Sequence, residues 1–311
     1  MKIVFVSSVE DGRYYLEEIM SVKKSCTGIE AIVGLDGTPS KSNRADFDDL
    51  AEKYGIKLIK TRDINSGETL SEIRNLNPDW IFVFGWSQLL KKDLLSIPKE
   101  GCIGTHPTLL PKYRGRAPVP WSIIKGLTKS GLTFFHINEG VDTGDILAQK
   151  EFDIDFADTA KDIHGKITRV GRQMIREFIP LLERGNPPRI PQDPQKHIEN
   201  WPKRTPKDGL IDWDCSTNAI YNLIRAVTHP YPGAFALEKG RKVYIWSAEI
   251  EKDREKVYRE PGKVEEITRD GIIVTTRDGS LRIRRLQREG DIEMNGRDYA
   301  RKYNCRKGES L

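Results

Sequence analysis

Residues 101–145 read GCIGTHPTLLPKYRGRAPVPWSIIKGLTKSGLTFFHINEGVDTGD. Gly101 to Thr105 are small and apolar, as at the end of a buried strand. His106-Pro107 comes next, then a Leu109-Leu110-Pro111 turn and Arg114-Gly115-Arg116. A second apolar run, Leu132 to Ile137, leads into Asp142-Thr143-Gly144-Asp145. One histidine and one aspartate therefore each follow a strand, 36 residues apart. A parallel sheet is expected to deliver both to one edge.

The flanking sequence supports such a sheet. Upstream, strand patterns at Lys2–Ser7, Ile29–Leu35, Ile56–Lys60 and Trp80–Phe84 alternate with helical ones at Tyr14–Val22, Arg44–Tyr54 and Thr69–Leu76. That alternation predicts an α/β fold, a doubly wound Rossmann-like parallel sheet. The first turn, Ser7 to Gly12, lacks the GxGxxG fingerprint, so no dinucleotide is expected there. Downstream, Pro118 starts a helix and Ile146–Phe152 forms a strand. Thr159-Ala160-Lys161-Asp162 opens a long helix. Its Ile163, Ile167, Val170, Met174, Ile175, Phe178 and Leu182 recur at helical spacing and are read as core.

Asn186 to Pro206 holds six prolines and little apolar periodicity, and is read as a linker (186–206) between a catalytic domain (1–185) and a second domain (207–311). In the second domain a helix, Thr217–Val227, precedes short strands broken by Lys239-Gly240, Arg269-Asp270-Gly271 and Arg277-Asp278-Gly279. Such spacing predicts a small antiparallel β-barrel of OB-like type.

Composition narrows the class. A chain of 311 residues is ample for a large core. No apolar run approaches a membrane span, and the N-terminus is too quickly polar for a signal peptide. Cys26, Cys102, Cys215 and Cys305 lie far apart and are read as free thiols, with no metal site, of a cytoplasmic protein. Residues 1–200 carry 28 basic and 28 acidic side chains, and residues 201–311 carry 23 and 18. The formal charge of +5 thus sits in the C-terminal third, a weak footprint for an anionic partner.

Histidine has an ordinary pKa near 6.5, so it can hold or release a proton at neutral pH. An aspartate beside it can orient the ring. Together they suit transfer of an acyl-type group: His106 stabilises the oxyanion of a tetrahedral intermediate and Asp142 helps remove the proton of an attacking amine. No serine or cysteine stands in an elbow motif, which favours direct transfer over an acyl-enzyme. His136, His164, His197 and His229 lack metal-ligand spacing.

His106-Pro107-Thr108-Leu109-Leu110-Pro111, Tyr113-Arg114-Gly115 and Asp142-Thr143-Gly144-Asp145 together resemble the signature of the 10-formyltetrahydrofolate-dependent formyltransferases. The resemblance runs nearly the whole chain. It implies 10-formyltetrahydrofolate as donor, held in a groove at the strand ends by Phe84, Gly85, Trp86, Leu110, Ile137, Asn138, Gly140 and Val141. It also implies a catalytic Asn-His-Asp set, of which His106 and Asp142 match two. Where the family has the asparagine, two residues before the histidine, this chain has Gly104. The glycine leaves a backbone N–H and space, with Ser87 or Gln88 as substitute donors. It also keeps open a protein that binds folate or a nucleotide sugar without catalysis.

Two branches of the family offer two acceptors. The loop Gly34–Arg44 is short, with two bases, whereas methionyl-tRNA formyltransferases typically carry a long basic one. The stretches around Arg114-Gly115-Arg116, Arg204-Thr205-Pro206 and Arg225–Phe235 resemble formyltransferases acting on UDP-linked amino-arabinose. Tyr113, Arg114, Arg116 and Arg204 are then candidates for holding a nucleotide diphosphate. The sequence therefore favours a nucleotide-sugar acceptor, with methionyl-tRNA formylation as the alternative. It leaves oligomeric state open.

Overall fold

Ile3, Val4, Phe5 and Val6 are all fully buried, because a strand with helices on both sides hides both of its faces. The computed structural model describes residues 1–37, 44–251 and 260–311. The chain divides into two compact units. One comprises Met1–Pro118, Lys129–Asp153 and His164–Pro202, the other Val119–Thr128, Ile154–Ile163 and Lys203–Leu311.

The chain runs β1 (Lys2–Val6), α1 (Glu10–Val22), β2 (Gly28–Leu35), α2 (Asp48–Tyr54), β3 (Lys57–Thr61), α3 (Gly67–Asn75), β4 (Trp80–Val83), α4 (Lys92–Leu95), β5 (Gly101–His106) and β6 (Arg114–Gly115). It continues through α5 (Pro118–Ile124), β7 (Lys129–His136), β8 (Ile146–Asp153), α6 (Ala160–Glu183) and β9 (Asn200–Trp201). Helix α2 starts later than its pattern predicts. Arg44 is held instead in a bridge to Val9, with its guanidinium on the carbonyls of Leu35 and Gly37. Gly55 ends α2 in the left-handed conformation, as expected of a glycine stop.

The seven-stranded sheet has the order β3-β2-β1-β4-β5-β7-β8. Its first five strands are parallel, whereas β7 is antiparallel to both β5 and β8. One face packs Val4, Val6, Val33, Ile59, Ile81 and Val83 against Leu70, Ile73 and Leu94. The other carries an aromatic cluster in which Phe84 meets Phe5, Tyr15, Phe82 and Phe134, with Phe178 of α6 on Phe134. Each ring removed from water contributes about 1.5–3 kcal/mol. The α6 stripe is buried as its period predicts, and Asp162 accepts from the Thr159 N–H and hydroxyl at its start.

In the second unit α7 (Thr217–Val227) is capped by the Ser216 hydroxyl. Then follow β10 (Ala234–Glu238), β11 (Arg241–Ile250), β12 (Val264–Thr268), β13 (Gly271–Thr275), β14 (Ser280–Arg288), β15 (Met294–Asn295) and α8 (Gly296–Tyr303). The antiparallel path is β10-β11-β14-β13-β12, with β15 on β14. Lys239 and Gly240 both take positive φ between Glu238 and Arg241, the two-residue hairpin geometry that matches strand twist. Helix α8 had no counterpart in the sequence reading.

Candidate functional site

His106 is the last residue of β5, so the C-terminal end of a parallel strand presents it. The imidazole is 4% exposed. Its Nε2 lies 2.9 Å from the Tyr113 carbonyl. A carbonyl only accepts, so the network assigns the ring proton to Nε2. Nδ1 then faces Asp142 Oδ2 at 3.5 Å.

Asp142 reaches the histidine by a route the sequence reading did not foresee. Strand β7 runs opposite to β5, and its end, His136, pairs with Ile103 rather than with His106. A parallel sheet therefore does not deliver both groups. The loop 137–145 instead turns back along the sheet. The His136 N–H donates to the Asp145 carbonyl at 2.8 Å, and Ile137 N–H to the Cys102 carbonyl at 2.8 Å. Asp142 sits in this loop at φ 54°, a left-handed conformation that aspartate tolerates better than most side chains. Its Oδ2 also accepts from Gly115 N–H at 2.9 Å.

Residues 186–202, read as part of a linker, belong to the first unit and strap this loop. Ile190 and Ile146 exchange backbone hydrogen bonds. Gln192 donates from Nε2 to the carbonyls of Asp142 and Gly144 at 2.8 and 2.7 Å. Its Oε1 accepts from Arg114. β9 pairs with β6, and Trp201 stacks on Tyr113 with centroids 4.5 Å apart. Neither Gln192 nor the strap was singled out in the sequence. The available signal was a glutamine in Ile190-Pro191-Gln192-Asp193-Pro194, where prolines hold the chain extended.

His136 fastens the same strap. Its Nε2 lies 2.9 Å from the Pro188 carbonyl, while Nδ1 is buried without a hydrogen-bond partner among the described residues. Burial holds its pKa below the ordinary value of 6.5. The folded protein thus prefers the neutral ring, whereas the unfolded chain takes a proton from about pH 6.5 downward. This stabilisation is present above about pH 6.5 and is lost as pH falls toward the depressed folded pKa. We expect the melting temperature to drop between pH 7 and pH 5 by more in the wild type than in His136→Gln. Equal drops in both would remove His136 as the cause.

The other expected site residues divide. Phe84 is fully buried in the aromatic cluster, and Leu110 is 2% exposed, so neither side chain offers a ligand surface. Gly85 and Val141 are exposed, and Trp86 is half-buried with its Nε1 shielded and without a partner among the described residues. Asn138 is exposed, but its Oδ1 already accepts from Gly140 N–H and the Thr143 hydroxyl, folding the loop tip. Arg114 is engaged by Gln192. Arg116 is exposed. Arg204, in the second unit, lies 4.7 Å over the Trp121 ring and donates to the Asp208 carbonyl.

Gly104 does not leave the space expected of it. A Cβ there would stand 2.9 Å from two carbons of Ile137 and 3.2 Å from Phe135. Ile137 fills the notch, and Gly104 is flanked in register by β4 and β7, so its backbone serves the sheet. Gln88 is spent as well: its Oε1 accepts from Ile64 N–H and its Nε2 donates to the Arg62 carbonyl. Residues 38–43 of the early loop lie outside the described residues. Among the described residues no helix is long and apolar enough to cross a membrane.

Comparison with known proteins bears on this geometry. The pattern described as "Formyl transferase" matches residues 1–179, and "Formyl transferase, C-terminal domain" matches residues 203–304. The chain is 35% identical over 303 residues to the methionyl-tRNA formyltransferase of Alkaliphilus oremlandii, covering 96% of each chain. It is 32% identical over 315 residues to that of Ruminiclostridium cellulolyticum, covering 100% of this chain and 99% of the other. Among solved structures it is similar to WlaRD, a sugar 3N-formyl transferase, crystallised in the presence of dTDP and 5-N-formyl-THF. There the TM-score is 0.66 at 20% identity, over 94% of this chain and 99% of that one, a likeness of fold.

Proposed function

The chain belongs to the formyl transferase family, and on that premise we propose that it moves a formyl group from 10-formyltetrahydrofolate to the amine of methionyl-tRNA. The observation that carries this acceptor is the match to methionyl-tRNA formyltransferases from one end of the chain to the other. It supports the tRNA alternative better than the nucleotide sugar that the sequence favours. The arginines invoked for a diphosphate are largely committed elsewhere, Arg114 to Gln192 and Arg204 to Trp121 and Asp208. The basic excess of residues 201–311 suits a polyanionic acceptor.

The donor is 10-formyltetrahydrofolate. Gly85, Trp86 and Val141 would hold it, with the exposed part of the Trp86 indole as an apolar wall. The neutral amine attacks the formyl carbon. Asp142 takes the proton that the amine loses, directly or through water. Asp142 passes that proton to the bare Nδ1 of His106, which it faces; the imidazolium so formed stabilises the oxyanion and gives the proton to the departing folate nitrogen as the C–N bond breaks. The products are a formamide and tetrahydrofolate, so no oxidant or reductant is required. With Gly104 in place of an amide side chain, more of the oxyanion's stabilisation falls on His106.

The test is a competition. The protein is given 10-formyltetrahydrofolate with charged initiator tRNA or with dTDP- and UDP-linked amino sugars. We expect kcat/KM for the tRNA to exceed that for any sugar by at least about 100-fold, roughly 2.7 kcal/mol of discrimination. A reversed preference would restore the sugar, and donor cleavage without acceptor would make the protein a hydrolase.

A further inference from the structure

We infer that Gln192 is a positioning residue for the transfer reaction: its one amide group sets where Asp142 stands relative to His106. The inference rests on the catalytic reading of that pair. Three observations converge on it. The Nε2 group uses both protons on the carbonyls of Asp142 and Gly144, the two residues that bracket the turn of the loop. Its Oε1 receives two N–H groups of Arg114, at 3.1 and 2.6 Å. Arg114 precedes Gly115, whose N–H holds the Asp142 carboxylate. The amide therefore ties the main chain of Asp142 to the strand that grips its side chain.

Chemistry selects this residue type. The site needs two donors on one side and an acceptor for a cation on the other. A glutamate offers the acceptor but would set a negative oxygen against two carbonyls. A lysine offers the donors but would repel Arg114. The geometry also needs to be held rather than merely permitted. Asp142 sits in a left-handed conformation, and the loop's own side-chain bonds, from Asn138 to Gly140 and Thr143, lie at its exposed tip. Without the strap, nothing else among the described hydrogen bonds fixes the carbonyls of Asp142 and Gly144.

The decisive variant is Gln192→Glu, which keeps length and the Arg114 contact while inverting the donors. A displacement of about 1 Å at reacting groups costs about 100-fold in rate. We expect kcat to fall about 100-fold, KM for donor and acceptor to change less than about threefold, and the 15N resonance of His106 Nδ1 to move. Gln192→Ala serves as the second variant should the glutamate fail to fold. A kcat within about threefold of wild type, or a loss of kcat with the His106 resonance unmoved, overturns the inference. Asp142→Asn is measured alongside. If that variant keeps wild-type turnover, the catalytic reading fails. The His106 resonance in Gln192→Glu then still reports whether the amide holds the pair.

Discussion

Replacing His106 with glutamine is expected to lower kcat for formyl transfer by about 1000-fold, and Asp142→Asn to do the same within about tenfold. Glutamine is the more informative change than alanine. It keeps an N–H that can reach the Tyr113 carbonyl, which in the alanine variant is left with only the 3.5 Å contact from the Thr108 hydroxyl. The fold is thus retained while the titrating ring is removed. Loss of one oxyanion donor costs about 100- to 1000-fold, and loss of a general acid or base about 100- to 10,000-fold. His106 is asked to do both, in a chain whose neighbouring position is Gly104. Asp142→Asn keeps the acceptor oxygen for Gly115 N–H but cannot take a proton. Because the two act on one transition state, the double variant should be little worse than either single one. Steady-state kinetics with melting curves checks this. Turnover near wild type in a folded His106→Gln protein would end the assignment.

Gly144→Ala is the second large effect, and it acts through backbone alone. A Cβ at residue 144 would stand 1.6 Å from the carbonyl oxygen of His136 and 2.8 Å from its carbon. Neither is a flexible side chain that could swing away. The His136 backbone is fixed in β7, so the loop carrying Asp142 has to move. Overpacking of this kind costs about 1–3 kcal/mol, and displacement of the carboxylate by about 1 Å costs about 100-fold in rate. We therefore expect a lower melting temperature, a kcat at least about 100-fold down and a smaller change in KM for the donor. A kcat equal to wild type would show that the carboxylate's placement does not depend on this close approach.

Much of the architecture was written in local pattern. Runs such as Ile3-Val4-Phe5-Val6 and the α6 stripe announce their elements because period and burial are set by neighbours a few residues away. The two-residue hairpin at Lys239-Gly240 is legible for the same reason. His106 and Asp142 were legible as residue types following strands. Phe84, beside Gly85, and Leu110, in the turn before Pro111, were not legible as core, because an apolar residue at a strand end or turn reads alike whether it faces a ligand or its own sheet. Nor could Arg114 be assigned: a guanidinium serves an anion or an amide oxygen equally well, and its partner lies 78 residues away.

From residue order alone came the element types, the Rossmann-like class and the pair of chemical groups, all consequences of short-range sterics and hydrophobic period. Strand direction and the fate of residues 186–202 came from the folded chain. The antiparallel turn of β7, the return of the loop 137–145 and the Gln192 clasp each join residues tens of positions apart. Which distant donor meets which acceptor depends on how whole elements pack, and no window along the sequence contains both partners.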